Sequence, residues 1–277
     1  MERADLLSSL VQARSGGDRI SEPASAPRDL AAAYSLSERM MNKVAQSSPA
    51  GWKVGATSAG AQEFLKVEEP IRGRIFAEGL TRSPAAVPYA EGIEAEPEIL
   101  FRLKQGVTAA ECRDRAEALR AIASVHVGLE INRPSYREPF DAGALRIVAD
   151  NAAHLGLVIG PEIAIEDFRR VSVTLKHNRV EAGSGTAEAV LGDPLRSLLW
   201  LANDLPDQTL MSNAWIATGG MCRGVQLSPG DVFEAEFLPG GVARLTVEDI
   251  HRSEHSNSQP NDAQSSVTSA ATGTHQG

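Results

Sequence analysis

Residues 94–103, EAEPEILFRL, carry glutamates Glu94, Glu96 and Glu98 at every second position, directly before an apolar run. Side chains alternate between the two faces of a β-strand, so a strand here places all three carboxylates on one face, about 7 Å apart. Pro97 lacks a backbone N–H, which predicts an edge or a bulge near the beginning of this strand. Carboxylates this close repel one another unless solvent, basic side chains or a divalent cation surrounds them.

A fourth glutamate, Glu130, lies at the end of an apolar run, where exposure to solvent is a poorer explanation for an acidic residue. It ends the run IASVHVGLE, in which alternation sets it opposite Val127 and Leu129. The acidic face of residues 94–103, taken alone, favours a solvated strand. Two of its carboxylates together with Glu130 would instead form a compact site with oxygen ligands for Mg²⁺ or Mn²⁺ and with positions open for water and substrate.

Hydrophobic spacing predicts a short amphipathic helix over residues 4–14 and a longer helix in DLAAAYSLSERMMNKVAQS, capped by Asp29. The residues that we expect to face inward in the longer helix are Leu30, Tyr34, Met41 and Val44. GDPLRSLLWLANDL predicts another helix, with a cap at Asp193 and a proline in its first turn. DVFEAEFLPGGVARLTVED alternates around a Pro-Gly-Gly turn and predicts a β-hairpin.

These elements divide the chain into three parts. Residues 1–50 are expected to form an N-terminal helical layer, and residues 51–250, where short apolar strands alternate with Gly/Pro punctuation, a β-rich catalytic domain. Residues 251–277 are polar and poor in large apolar groups, so we expect a disordered tail. A metal role for the histidines of this tail is disfavoured for the same reason.

Charge and composition exclude several classes of partner. The 277 residues carry a formal net charge of −9, which argues against nucleic acid or an anionic membrane. Cys112 and Cys222 are far apart and outside any metal-binding spacing, so we expect reduced thiols rather than a disulfide or a zinc site. The stretch MERADLLSSLVQAR lacks the apolar core of a signal peptide, and no apolar run approaches the length of a bilayer, so we expect a cytoplasmic protein.

Seven landmarks, in order, give the chain a specific likeness over residues 28–248. They are GWKVGATS, QEFLKVEEPIRGRIFAE, IEAEPEILFRL, VGLEINR, VADNAAHLGLVIG, VEAGSGTAEAVLGDPLRSLLWLAN and IATGGMCRGVQLSPGDVFEAEF. The chain resembles the 2-oxopent-4-enoate hydratase and 4-oxalocrotonate decarboxylase branch of the fumarylacetoacetate hydrolase superfamily. The resemblance implies an α+β fold, a β-rich mixed roll or sandwich with flanking helices and an outer N-terminal helical layer. It also implies a homo-oligomer.

In that family an E-x-E pair on one strand and a glutamate from a later strand bind a divalent cation, Mg²⁺ or Mn²⁺. The string IEAE would select Glu94 and Glu96, whereas alignment of EPEILFRL selects Glu96 and Glu98. We prefer the second pair because it keeps the carboxylates next to the buried segment. Glu130 is then the third ligand, and Glu94 is a surface acid.

The resemblance also implies roles for residues around these ligands. Lys53 in GWKVGAT matches a lysine that the family uses in acid–base chemistry, and Glu78 stands where relatives often carry a catalytic aspartate. The residues that match substrate contacts are Asp150, Asn151, Thr218 and Gly219. The chain departs from some hydratases at Ala153, where they carry a serine, and His154 is expected to be a packed or surface histidine.

The reaction implied is hydration of a 2-hydroxy-2,4-dienoate to a 4-hydroxy-2-oxo acid. A decarboxylase of the 4-oxalocrotonate type is the closest alternative, favoured by the missing serine, and a C–C bond hydrolase of the same superfamily shares the metal site. An interaction module that keeps the fold without activity is a further alternative, disfavoured because Lys53 and all three glutamates are present.

Overall fold

The computed structural model describes residues 5–21, 25–138, 143–205 and 209–249. Its α-helices are α1 (Leu6–Arg14), α2 (Leu30–Val44), α3 (Ala59–Leu65), α4 (Arg115–Ala121), α5 (Ala144–Ala149) and α6 (Leu195–Asp204). Its first strands are β1 (Pro49–Gly55), β2 (Ile71–Phe76), β3 (Leu80–Arg82), β4 (Ala85–Pro88), β5 (Glu94–Leu103), β6 (Ile122–Asn132) and β7 (His154–Glu162). The later strands are β8 (Ser172–His177), β9 (Val180–Thr186), β10 (Trp215–Gly220), β11 (Val225–Gln226), β12 (Val232–Leu238) and β13 (Gly241–Glu248).

The strands form two mixed sheets. An eight-stranded sheet has the order β2-β1-β10-β5-β6-β7-β3, with β11 also paired to β5, and a five-stranded sheet has the order β4-β13-β12-β8-β9. Strand β2, at one end of the larger sheet, contacts β7 near the other end, so this sheet curls into a roll. The predicted α+β, β-rich architecture is confirmed.

The main hydrophobic core lies between the two sheets. On the larger sheet it includes Phe101 and Val127, and on the smaller sheet Phe233 and Leu245. A separate apolar cluster lies on the inner face of the roll, formed by Ile75, Leu100, Leu157, Ile159, Trp215 and Ala217. The inner face therefore has an apolar floor, and the polar residues described below share that face.

Helices α1, α2 and α5 pack together around a third apolar cluster that also includes Tyr136 and Ile71. Asp29 caps α2 as predicted, because its carboxylate accepts a hydrogen bond from the backbone N–H of Ala32 at 2.8 Å. The predicted inward face of α2 is partly wrong. The buried stripe is Ala33, Ser37 and Met40, whereas Leu30 is 42% exposed and Tyr34, Met41 and Val44 are half-buried. This stripe faces the packed helices, and the residues predicted to face inward lie beside it.

Strand β5 has the bounds predicted for it, and its irregularity lies beside Pro97, between Glu98 and Leu100. Of the predicted edge and bulge, the structure has the irregularity, since β5 pairs with β6 on one side and with β10 and β11 on the other. The pairing of β10 with β5 shifts between Ala217 and Gly220, and the carbonyl of Pro97 accepts a hydrogen bond from Met221 N at 2.9 Å across that junction. The missing N–H of proline is tolerated there because the regular ladder is already interrupted.

The predicted hairpin is confirmed, because β12 and β13 pair antiparallel. The helix predicted near Asp193 is α6, where the Asp193 carboxylate accepts from the N–H of Leu195 at 3.0 Å, but the residue at the N-cap is Pro194 rather than Asp193. The predicted tail, residues 251–277, lies outside the described residues. Among the described helices, none is long and apolar enough to cross a membrane.

Candidate metal centre

The register of two neighbouring strands brings three glutamates together. Glu96 on β5 lies directly opposite Glu130 on β6, and Glu98 is two residues further along the same face of β5. One carboxylate oxygen from each of the three lies within 4.8 Å of the others. Glu98 and Glu130 are buried, Glu96 is partly buried, and Glu94 is outside the group. The geometry therefore fits the preferred pair rather than Glu94 with Glu96.

Lys53 supplies a positive charge to this cluster from the far side of the roll. It lies on β1, and β10 and β5 separate β1 from β6 in the sheet order. Its Nζ is nevertheless 3.3 Å from Oε1 of Glu130, and both side chains are buried. Only the curl of the sheet permits this contact, because adjacent strands are about 4.8 Å apart. The predicted acid–base lysine therefore lies against the carboxylates.

The three carboxyl groups differ in their electrostatics. Burial and the neighbouring charge of Glu130 raise the pKa of Glu98 well above its ordinary value, and the same causes raise the pKa of Glu96 to about 7. Burial also acts to raise the pKa of Glu130, but the Lys53 charge and a hydrogen bond from His154 outweigh it and hold this pKa at about 2. The Lys53 charge therefore favours the ionised form of Glu130, whereas burial and the charge of Glu130 outweigh it at Glu96 and Glu98.

The donor set fits a hard divalent cation. Oε2 of Glu98 accepts from the backbone N–H of Gly219 at 2.9 Å, whereas its Oε1 is buried and has no hydrogen-bond donor among the described residues. One carboxylate oxygen of Glu98 and one of Glu130 lie within 4.8 Å of each other, so the two groups repel when both are ionised unless a cation is bound between them. Ionised carboxylates in excess of donors are the ligands that Mg²⁺ and Mn²⁺ prefer.

His154 and Asn132 also hold Glu130, although no sequence pattern had assigned either residue to the site. Nδ1 of His154 is 2.7 Å from Oε1, and Nδ2 of Asn132 donates to Oε2 at 3.3 Å. Both residues are buried. His154 is therefore packed, as expected, but packed on a carboxylate of the site. Its position at the end of the landmark VADNAAH was the signal that could have identified it.

Thr218 and Gly219 lie beside Glu98 at the end of β10. The Thr218 hydroxyl donates to the carbonyl of Ile99 at 2.8 Å, so it is occupied by the fold. Gly219 has a φ of 120°, and a Cβ at this position would overlap the side chain of Thr57. Glycine is thus required for the N–H to reach Glu98. A substrate contact by this loop stays a prediction.

Asp150 does not present its carboxylate to the cluster. Oδ1 accepts from Nε of Arg14 at 2.7 Å and from the hydroxyl of Ser135 at 2.6 Å, while Oδ2 accepts from the N–H of Ser135 at 2.7 Å. The group is fully buried. Its oxygens therefore hold α1 against the turn before β7. A substrate contact by Asp150 stays a prediction without a contact that supports it.

Asn151 and Glu78 also lie apart from the cluster. The Asn151 amide accepts from the N–H of Arg74 at 2.7 Å and donates to its carbonyl at 2.9 Å, so it covers the edge of β2. Glu78 is exposed, and its carboxylate accepts from the N–H of Gln46 at 3.0 Å. Within the described part of the chain, neither side chain has a polar contact with the three glutamates. The catalytic role of Glu78 stays a prediction without a contact that supports it.

Comparison with known proteins identifies dienoate hydratases and 4-oxalocrotonate decarboxylases as relatives of this chain. No model of a protein family matches the chain. A 2-hydroxyhexa-2,4-dienoate hydratase from Comamonas testosteroni is 31% identical over 198 residues, which cover 66% of this chain and 72% of the relative. A 4-oxalocrotonate decarboxylase from Pseudomonas sp. strain CF600 is 29% identical over 188 residues, which cover 65% of this chain and 70% of the relative.

The fold is also that of a solved relative. The structure of a 4-oxalocrotonate decarboxylase from Pseudomonas putida G7, complexed with magnesium and adipate, superposes with a TM-score of 0.78 at 24% identity. The match covers 87% of this chain and 95% of that one. Together with the identity to the hydratase, it places this chain in the hydratase and decarboxylase branch of the fumarylacetoacetate hydrolase superfamily.

Proposed function

We propose that this protein is a metal-dependent lyase that hydrates a 2-hydroxy-2,4-dienoate to a 4-hydroxy-2-oxo acid. The observation that carries the proposal is the buried cluster of Glu96, Glu98 and Glu130 with Lys53 in contact with Glu130. The cluster would hold Mg²⁺ or Mn²⁺, and the names of the relatives supply the substrate class. A bound cation supplies Lewis-acid stabilisation of the negative charge that develops on the substrate carboxylate and 2-oxygen.

The residues of the chain would bind the substrate, orient the ligands and move the proton. Lys53 would deliver a proton from Nζ to C5 of the dienoate and take up the proton that the 2-hydroxyl loses as it becomes a 2-oxo group. Water would then add across C3 and C4, with its oxygen bonding to C4 and one of its protons to C3. Gly219, His154 and Asn132 fix the orientation of the carboxylates through their hydrogen bonds. The apolar inner face below them limits access of bulk water.

Decarboxylation of a 4-oxalocrotonate-type acid is the second candidate. Two observations favour it: the decarboxylase relative at 29% identity, and Ala153, which has no hydroxyl where some hydratases carry a serine. Stabilisation of an enolate at the same carboxylate cluster would serve loss of CO₂ as well as addition of water. The reaction products, rather than the proposed metal ligands, therefore distinguish hydration from decarboxylation.

The test is an ultraviolet assay of purified protein with Mg²⁺ on 2-hydroxypenta-2,4-dienoate and, separately, on 4-oxalocrotonate, with product analysis. We expect loss of dienoate absorbance and formation of a 4-hydroxy-2-oxo acid, abolished by EDTA and by Glu96→Gln. Glu94→Gln is the matched control, because Glu94 shares the strand face but lies outside the cluster. Release of CO₂ from 4-oxalocrotonate without hydration would establish the decarboxylase, and inactivity on both with metal bound would contradict the proposal.

The proposal extends to the setting of the enzyme. A small 2-oxo acid is its partner, and we propose a homo-oligomer that acts in the cytoplasm in the breakdown of aromatic compounds. Light scattering of the purified protein tests the oligomeric state, since a mass of one chain, 29.4 kDa, would contradict a homo-oligomer.

A further inference from the structure

A cavity of about 210 Å³ lies outside the roll, between α2 and the strands β1 and β2. Its walls include Tyr34, Glu38, Met41, Trp52, Arg72 and Arg74. Lys53 has its Nζ beside Glu130 inside the roll, so the preceding residue, Trp52, faces the opposite side of β1. In the β1–β2 ladder Arg74 lies opposite Trp52 and Arg72 is two residues away, so both arginines share its face. The sheet therefore separates this cavity from the glutamate cluster.

Aromatic rings hold the two guanidinium groups of the cavity in place. The guanidinium carbon of Arg74 is 4.0 Å from the centre of the Trp52 ring. That of Arg72 is 3.7 Å from the centre of the Tyr34 ring. Stacking on a ring fixes the plane of a guanidinium and leaves the N–H groups at its edge able to donate. The two cations are therefore oriented before any ligand arrives.

The acids of the chain compensate these two cations incompletely. Arg72 pairs with Asp204 through Nη1 at 2.6 Å. Nη2 of Arg74 is 4.0 Å from Oε1 of Glu38, whose side chain is 67% exposed, so this second pair is weak. Burial and the charge of Arg72 lower the pKa of Arg74, although the charge of Glu38 acts in the other direction. A further negative charge beside Arg74 would thus be stabilised.

The rest of the wall adds a donor and apolar surface. The hydroxyl oxygen of Tyr34 accepts from the N–H of Arg72 at 3.2 Å, and its own proton has no acceptor among the described residues. Met41 contributes a thioether side chain. The volume is several times the share of one water in the liquid, about 30 Å³. It lies below the range of drug-sized sites, about 300–1,000 Å³, so the occupant is a small molecule.

We propose that this cavity is a binding site for a small carboxylic acid: Arg74 and Arg72 bind its carboxylate, and its apolar part lies against Met41. The excess of donors selects an anion, and the planar fork of a guanidinium matches a carboxylate. The site goes beyond the proposed function and does not depend on it. Inactivity of the protein on both 2-oxo acids would leave this inference standing.

The three tryptophans of the chain distinguish this cavity from the roll. Trp52 lines the cavity, Trp215 lies on the inner face of the roll, and Trp200 is on α6. Protein that carries 5-fluorotryptophan gives one ¹⁹F signal for each of them, assigned with Trp200→Phe and Trp215→Phe. The ligand is then located in the wild-type sequence, without a variant of the cavity that could fail to fold.

The probe is benzoate, and benzamide is its neutral control of the same shape. Both are added at millimolar concentration in EDTA, so that the glutamate cluster holds no metal. We expect benzoate to move the Trp52 signal and to leave the Trp215 signal in place, whereas benzamide moves neither. An unmoved Trp52 signal, movement at Trp215 alone, or an equal response to benzamide would overturn the inference.

Charge variants test which groups bind the carboxylate. Arg74→Gln should weaken benzoate binding by about tenfold or more, from the loss of a charge-assisted hydrogen bond. Arg39→Gln removes the same charge from an exposed position of α2 and should change nothing. Glu38→Gln should tighten binding by about two- to fivefold, because the ligand no longer competes with this carboxylate for Arg74. Unchanged affinity in Arg74→Gln, or equal losses in the two arginine variants, would contradict the assignment.

Inorganic phosphate distinguishes a carboxylic acid from other anions. Phosphate carries charge but has no apolar part, so we expect it to move the Trp52 signal only at higher concentrations than benzoate. Phosphate that binds as tightly as benzoate would overturn the assignment to a carboxylic acid.

Discussion

Asp150 and Glu98 are both fully buried carboxylates, yet their surroundings are opposite. Asp150 accepts three hydrogen bonds, one of them from the guanidinium of Arg14. Glu98 accepts one backbone N–H and lies against the carboxylates of Glu96 and Glu130. Burial therefore does not separate the structural acid from the proposed metal ligand. The balance of charge and donors does, because buried carboxylates that outnumber the donors around them favour the binding of a cation or a proton.

The largest expected effect is on stability, at the balanced pair. Asp150→Ala should lower the free energy of unfolding by about 3–5 kcal/mol, because it leaves Arg14 buried without its carboxylate. Urea denaturation measures it, and the double variant with Arg14→Met should recover part of the loss. A decrease below about 1 kcal/mol would show that Asp150 does not hold the fold.

In the metal-free protein, Glu98→Gln should change the free energy of unfolding in the opposite direction to Asp150→Ala. Replacement of this carboxylate, whose buried Oε1 has no donor among the described residues, should raise the free energy of unfolding in EDTA by about 1–3 kcal/mol, since the amide can donate to Glu130. The same change should remove the stabilisation that added Mg²⁺ gives. Glu94→Gln, measured in parallel, should change neither quantity. A less stable Glu98→Gln in EDTA would contradict the assigned imbalance.

The stability of the metal-free protein should depend on pH because buried carboxylates outnumber the donors around them. The folded-state pKa of Glu96, about 7, lies above the ordinary value of 4.5, so the folded state binds more protons and loses stability as pH rises from about 4.5 to about 7. Thermal melting in EDTA should thus give a higher Tm at pH 5.5 than at pH 7.5. Saturating Mg²⁺ should reduce the slope, and so should Glu96→Gln. The same slope in all three samples would rule out Glu96 as its source.

The smallest expected effect is at Glu78. Its carboxylate is exposed and accepts from Gln46 N, a bond that glutamine can also accept, so Glu78→Gln should change kcat/KM by less than about threefold. Lys53→Met should lower kcat by about 10²-fold or more if Lys53 moves the proton. A decrease at Glu78 that equals the decrease at Lys53 would support the catalytic role that the family resemblance predicts for Glu78.

Sequence predicted the parts of this site that depend on short-range periodicity. Alternation placed Glu94, Glu96 and Glu98 on one face, and the apolar run before Glu130 marked a second buried strand, whereas the choice of Glu96 and Glu98 with Glu130 came from the family resemblance. It could not predict the use of Asp150 or of His154. The partners of Asp150 include Arg14, 136 residues away, and His154 meets Glu130 only through the register of β6 and β7. Such partners are fixed by tertiary contacts that no local pattern encodes.

The main conclusion is that Glu96, Glu98 and Glu130 together bind one divalent cation. Its most direct test is a calorimetric titration of EDTA-treated, dialysed protein with Mn²⁺ and with Mg²⁺. We predict one cation per chain for the wild type and for Glu94→Gln, and no binding at the same concentrations for Glu98→Gln. Wild-type protein that binds neither ion, or Glu98→Gln protein that binds with unchanged affinity, would contradict the account.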